Sequence, residues 1–416
     1  MLKKDSFAEA INLLVEAEQE NPNNYKIKRD LGVAYYKTEQ LDKALDKLQE
    51  AKTMQAADSK TIFYLGLTYE SKDMLTEAIN EYKNYKNLGR SRRFRNEISK
   101  RIKQLTTARV SGEIAEALTN EANLDVAAIP ENTVAVLYFK NLGTSDELDP
   151  LQKGLAQMLI TDLAKANKLK IVERLKLQKL LEELEFGTTG LVDENTAPRV
   201  GKLLGAHKLI NGGFTDLTDE NLRIDASLAE TATAKISNVE ELTGKLNTIF
   251  SLEKKLAFEV IDELGVQLTK EEREAIEKIP TESLLAFIAY SKGLDFEDRG
   301  MYEQAKQEYE KAVLLDSKFD LAQESLDDVE IAQSAATEPK VEPANLESEF
   351  ETTSDGMENL TKSSRLLNTS IAALTGQTPQ GDNDTRKPVQ EGTGTDNATP
   401  TTAIIPIRVP LPPGGN

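Results

Sequence analysis

The sequence predicts an α+β multidomain protein. An α-solenoid of helical repeats comes first, then a two-layer or three-layer α/β domain with a mixed sheet. A further helical repeat and a disordered C-terminal tail follow. Three observations carry this. Residues 31, 32 and 35 return in kind at 65, 66 and 69, the fixed period of a repeat array. From about residue 131 the apolar spacing switches from helical to short β-branched runs. From about 333 the composition turns to Thr, Ser, Pro, Gly, Asn and Glu.

Composition narrows the chemistry first. The 416 residues carry 51 Lys plus Arg against 70 Asp plus Glu, a net charge of -19. That balance argues against nucleic acid as a partner, because most of the surface would repel phosphate. There is one His (His207) and no Cys. A thiolate nucleophile, Cys-ligated zinc, an iron–sulfur cluster and a disulfide are therefore excluded, and a Ser-His-Asp triad could rest only on His207. No catalytic, metal-binding or cofactor-binding residue is assigned, and the chain reads as an interaction protein, not an enzyme. No apolar run of about 18 residues exists to form a transmembrane helix. Met1-Leu-Lys-Lys-Asp5 does not open a signal peptide.

The repeat is built from residues of matching size. Leu31, Gly32, Tyr35, Ala44 and Leu48 correspond to Leu65, Gly66, Tyr69, Ala78 and Tyr82. Small residues belong where two helices cross closely, and large ones fill the space between neighbouring pairs. This pattern resembles the tetratricopeptide (TPR) repeat. Ala10, Leu14, Ala17 and Pro22 fit only the second helix of such a repeat. The expectation is a repeat truncated before Met1, with any export signal or lipid-anchor cysteine upstream.

A dense basic run follows, with Arg90, Arg92, Arg93 and Arg95 ahead of Lys100, Arg101 and Lys103. It reads as a solvated helix face, or as a contact with anionic lipid headgroups or with the protein's own acidic surface. As a partner-binding patch it is one of two candidates.

In the middle segment, Thr133–Phe139 and Leu169–Glu173 read as strands, and 148–167, 175–184 and 193–204 as helices. Lys208–Phe214 and Leu222–Leu228 form a hairpin across a polar turn, and a last helix covers about 244–264. Gly201 and Gly205 are expected to permit close helix–strand packing, and Arg174 to pair with a carboxylate. Paired acids such as Glu182-Glu183 read as solvated surface, without the apolar pocket that acid–base work needs.

The order of Val134-Ala-Val-Leu-Tyr-Phe, Asn141-Leu-Gly, Gly154-Leu-Ala-Gln-Met-Leu, Ile171-Val-Glu-Arg174, Gly190-Leu-Val-Asp193 and Val200-Gly-Lys-Leu-Leu-Gly-Ala206 carries a resemblance. It is similar to the CsgG family, the curli assembly and transport component and its envelope relatives, over about a third of the chain. Pore-forming members add two amphipathic hairpins per subunit. Here the single candidate hairpin carries Arg223 and Asp225, unlike a lipid-facing strand. The resemblance thus implies the soluble core without the pore. It also implies a homo-oligomer, against which the missing hairpins argue.

Gly293, Phe296, Ala305, Tyr309 and Ala312 repeat the positions of Gly32, Tyr35, Ala44, Leu48 and Ala51, with Phe319–Ala332 as a capping helix. The expected organisation is 1–125 (TPR), 131–268 (CsgG-like), 280–332 (TPR with cap) and 333–416 (disordered tail). Within the tail a weak helix is expected near 363–374. The apolar terminal segment 403–413, with Ile404, Ile405, Ile407 and Val409, is the second partner-binding candidate, a docking strand on a polar tether.

The leading functional reading is a noncatalytic scaffold of the bacterial cell envelope, periplasmic and outer-membrane-associated, serving assembly or secretion. Its partners are proteins held in TPR grooves, with peripheral membrane association or a lost lipid anchor. The alternative is a cytoplasmic TPR adaptor with the middle domain as a sensor.

Overall fold

Close helix crossings set the geometry of the repeats. The computed structural model describes residues 2–184, 196–217, 221–239, 241–337, 341–353 and 355–356. It opens with α1 (Leu2–Glu20), α2 (Tyr25–Lys37), α3 (Leu41–Met54), α4 (Ser59–Ser71), α5 (Leu75–Leu88) and the long α6 (Arg92–Thr119). Asn24, Asp58 and Ser91 cap α2, α4 and α6 by accepting backbone N–H bonds from Lys26, Thr61 and Phe94, which fixes where each begins. A Cβ added at Gly32 would lie 2.6 Å from Leu48 Cγ, and one at Gly66 would lie 2.5 Å from the Tyr82 ring. Leu31, Ala44, Leu65 and Ala78 are buried beside these crossings, Tyr35 is half-buried, and the Tyr69 hydroxyl accepts from Gln49 at 2.8 Å.

The same device returns far along the chain, in α12 (Leu284–Asp298) and α13 (Tyr302–Leu315). A Cβ at Gly293 would lie 2.4 Å from the Tyr309 ring, and Ala305 and Ala312 are fully buried. The tyrosine hydroxyls behave alike in the two places. Tyr82 donates to Glu70 at 2.8 Å, and Tyr309 to Glu297 at 2.9 Å. Each glutamate also holds cations: Glu70 pairs with Arg101, and Glu297 with Lys103 at 3.2 Å.

Between these repeats lies a mixed sheet: β1 (Thr133–Val136), β2 (Lys140–Asn141), β3 (Lys170–Ile171), β4 (Lys208–Asp216), β5 (Asn221–Glu230), β6 (Ile236–Asn238) and β7 (Leu242–Lys245). Its order is β3-β1-β4-β5-β6, with β2 also on β4 and β7 also on β5. β1 and β2 run parallel to β4, and β4 and β5 form an antiparallel pair in register from Lys208 with Glu230 to Asp216 with Leu222. Both strands of the expected hairpin thus lie inside the sheet. Val134, Ala135 and Val136 are consecutive and all buried, so both faces of β1 are covered and the three-layer alternative holds. The helices of the sheet region are α7 (Leu151–Leu163), α8 (Arg174–Glu183), α9 (Ala197–Leu204), α10 (Ile249–Glu263) and α11 (Lys270–Ile276).

Several elements depart from the sequence expectation. The strand expected over 133–139 ends at Val136, because the Phe139 N–H turns away to Gln152 at 3.1 Å on α7. Its ring lies over Gly212, where a Cβ would come within 2.4 Å. Gly201 does permit close packing, since a Cβ there would lie 2.1 Å from Thr231 Oγ1. Gly205 acts otherwise: it ends α9 in the left-handed region at φ 67, with open space where a Cβ would stand. Its role is the helix stop that a residue without Cβ makes cheaply.

The expected separation of 131–268 from 280–332 gives way to one shared core. Buried side chains run without a break from the sheet through α7 and α10 into α12, α13 and α14 (Asp320–Thr337). Contact between α7 and α12 is close enough that a Cβ at Gly154 would meet Ser291 Oγ at 2.0 Å. A second, smaller core lies in the N-terminal repeats, and α6 reaches both, with Leu105 in one and Ile114 in the other.

The expectation of disorder from 333 is also corrected. α14 continues to Thr337, and α15 (Pro343–Thr352) forms beyond it, with Leu346 and Phe350 buried in the N-terminal core. Composition is a property of the whole tail, whereas two apolar residues four apart suffice to seat one short helix. The helix expected near 363–374 and the terminal segment 403–413 lie outside the described residues.

Gly66→Ala and Gly293→Ala are each expected to cost about 1–3 kcal/mol through overpacking against a buried tyrosine ring. Gly112 is exposed within α6, with nothing within 4 Å of an added Cβ. Gly112→Ala is therefore expected to stabilise by up to about 1 kcal/mol. Urea denaturation of the three variants checks the contrast.

Candidate protein-interaction groove

The N-terminal repeats present a groove walled by aromatic side chains. Phe63 and Tyr64 come from α4, Tyr85 from α5 and Phe94 from α6, and they pack on one another: Phe63 lies 5.4 Å from Phe94 and 5.8 Å from Tyr85 between ring centroids. At α4 this follows directly from sequence. Residues 61–69 form an unbroken buried run, so the helix carries apolar side chains on the groove face as well as on the packing face.

α15 sits in this groove. The Phe350 ring stacks on Phe63 at 4.2 Å and an interplanar angle of 21°, with Tyr64, Tyr85 and Phe94 at 5.6 to 6.0 Å. Leu346, one turn earlier, is buried beside it, and each of the two anchors is 1% exposed. Burying one such ring stabilises by about 1.5–3 kcal/mol, and favourable ring contacts add roughly 0.5–1.5 kcal/mol.

Charge frames the aromatic floor. Lys37 pairs with Glu347 at 2.7 Å and Glu351 at 2.6 Å, and Arg93 pairs with Glu349 at 3.4 Å. Burial alone would lower the Lys37 pKa, but these two carboxylates outweigh it and hold it above its ordinary value. Tyr36, half-buried and near Glu347, is pushed up to about 12. Beyond the helix, Asp355 is 3% exposed. It accepts from the Tyr85 hydroxyl at 3.1 Å and from the Arg90 N–H at 2.9 Å, and the Arg90 guanidinium lies 3.4 Å away. Burial and this carboxylate together push the Tyr85 hydroxyl far above its usual range.

The basic run is thus divided. Arg90 and Arg93 meet the acidic segment, Arg95 donates to the Gly89 carbonyl at 3.1 Å, and Arg92 is exposed. Ile404, Ile405, Ile407 and Val409 lie outside the described residues. Missing from the sequence reading were Lys37, Phe63, Tyr64, Tyr85 and the segment 346–355 as a site. Pro343 at the helix start, Leu346 and Phe350 four apart, and acids at 347, 349 and 351 were the available signal.

Two other polar clusters are internal. A cleft of about 450 Å³ between the sheet core and α12 is lined by Tyr138, Lys153, Asp295 and Arg299 among others. Several of the charges in and around it are engaged with one another. Lys153 pairs with Asp295 and Asp298 at 2.9 Å, Arg299 with Asp295 at 2.7 Å, and Arg174 with Asp298. Burial opposes the charge of Arg174, but Asp298 more than restores it. Deeper in the core, Glu253 is fully buried. Burial, then the charge of Asp162, raises its pKa well above the carboxylate range, while Lys254 at 3.5 Å pulls the other way. Asp162 itself pairs with Lys254 and Lys165. Enclosed in this way, Glu253 is out of reach of a substrate. Among the described residues no group of acids and His is placed to hold a metal ion, and no helix is long and apolar enough to cross a membrane.

A double-mutant cycle on Tyr85→Phe and Asp355→Ala, read by urea unfolding, is expected to give a coupling of about 0.5–3 kcal/mol. Additivity would show that the buried carboxylate is not held by the tyrosine.

Residues 110–227 match the family model described as curli production assembly/transport component CsgG, and residues 1–60 match a tetratricopeptide repeat model. No curated protein matches the chain. Among solved structures, a tetratricopeptide repeat protein from Parabacteroides merdae ATCC 43184 is similar at 12% identity, over 79% of this chain and 94% of that one. The TM-score of the two chains is 0.24. TPR repeats generally mediate protein–protein interactions, both families are noncatalytic in general, and the CsgG family is associated with the cell envelope and outer membrane. The chain carries a CsgG domain over residues 110–227 behind N-terminal tetratricopeptide repeats.

Proposed function

We propose that this protein is a noncatalytic scaffold of the bacterial cell envelope, periplasmic and associated with the outer membrane, that serves assembly or secretion. It binds protein partners through its N-terminal groove and its CsgG domain, and among the described residues it has no pore hairpins of its own. One observation carries the binding role: an aromatic floor rimmed by Lys37, Arg90 and Arg93 already holds a helix by the helix-in-groove mode. The envelope location is supported by the CsgG match. The absence of catalysis is supported by the noncatalytic character of both families and by the lack of Cys and near-lack of His.

Arg93, 89% exposed at the groove rim, is the place to test this. Replacing it with a photo-cross-linking phenylalanine in the native host should yield a discrete protein adduct in the envelope fraction. Residence of the protein and its adducts in the cytoplasmic fraction would contradict the proposal.

A further inference from the structure

The segment in the groove has the properties of a ligand. Its helix has ten residues, below the length at which isolated helices persist in water, so its helicity depends on the groove. Within the helix the buried anchors are Leu346 and Phe350, while Glu342, Ala344, Asn345, Ser348 and Thr352 face solvent. The groove wall does not depend on it, because Phe63, Tyr64, Tyr85 and Phe94 also contact one another. The rim is cationic in a chain whose net charge is -19, and it faces three glutamates and an aspartate of this segment.

We infer that residues 341–356 are a tethered stand-in for the partner. The groove takes a short acidic helix of another protein, with Leu and Phe four residues apart and carboxylates at the flanking positions. This rests on the proposed role of the groove in binding proteins. Phe350 defines an aromatic subsite between Phe63 and Phe94, Leu346 an aliphatic one, and Lys37 reads two acids a turn apart. Asp355 caps the interaction through Tyr85 and Arg90. Because the segment belongs to the same chain, an outside helix competes with it at an effective concentration of roughly millimolar, and a segment of about ten-micromolar intrinsic affinity weakens that helix about 100-fold while seated. The partner must therefore outcompete the segment, or the segment must be withdrawn first.

The test uses a fluorescein-labelled peptide of residues 341–356 and the full chain in three forms. These are the wild type, Leu346→Ala/Phe350→Ala, and Glu347→Lys/Glu351→Lys, which opens the groove by charge reversal without touching the core anchors. The peptide should bind both opened chains at least tenfold more tightly than the wild type. Binding should weaken at 0.5 M salt and be lost when the peptide carries Phe350→Ala. Equal affinity for all three forms, or no binding to either opened chain, overturns the inference. So does undiminished binding of a peptide whose glutamates are replaced by lysine. Failure here with an envelope adduct at Arg93 leaves the scaffold reading intact. Tight peptide binding with a cytoplasmic protein refutes that reading and keeps this one.

Discussion

A helical repeat pair has two apolar faces and can bury only one of them in its own crossing. The architecture follows from how the second face is covered. For α12 and α13 the cover comes from the CsgG domain, where α7 approaches so closely that Gly154 has room for no side chain against Ser291. Lys153 and Arg174 then lock the joint by pairing with Asp295 and Asp298. For the N-terminal repeats the cover is α15, drawn from more than two hundred residues away in the chain, as the Tyr85–Asp355 hydrogen bond records. α6 ties the two assemblies together, and Lys103 on it reaches Glu297 of the other repeat.

The two covers differ in kind, and this difference separates structure from function. The α7–α12 joint is part of one continuous apolar core, and its buried Lys153 is ion-paired with Asp295 and Asp298, so opening it would expose both a core and unpaired ions. The α15 seat rests on two side chains and on rim pairs such as Arg93–Glu349, where the arginine is largely in solvent. Exposed pairs of that type contribute roughly 0–1 kcal/mol each. Aromatic burial supplies most of the affinity, and the cations supply orientation and preference for acidic helices.

Much of this was legible in the sequence. Gly32, Gly66 and Gly293 announced the helix crossings because only a residue without Cβ fits there; the 34-residue shift from Gly32 to Gly66, and the same internal offsets after Gly293, exposed the repeats. The runs at 133–139 and 208–214 announced strands, although Phe139 left its strand to pack on Gly212 for reasons that lie in tertiary contact. Arg174 was expected to find a carboxylate, and it did. The groove was not legible. Phe63 and Phe350 are far apart in the chain, and α15 is embedded in a tail whose composition reads as disorder. Local periodicity reports which face of a helix is apolar, not which distant segment will cover it. The Glu253–Asp162 pair escaped for a similar reason: burial comes from the packing of α7 against α10, which neither residue's neighbours reveal.

Backbone amide hydrogen exchange across residues 346–352 of the intact protein tests the central claim most directly, because α15 is too short to protect its amides unaided. A seated helix predicts exchange at least about tenfold slower than in a free peptide of the same sequence, equivalent to roughly 1.4 kcal/mol of docking. Exchange at the free-peptide rate would show that the groove does not hold its own acidic helix, and would contradict the account.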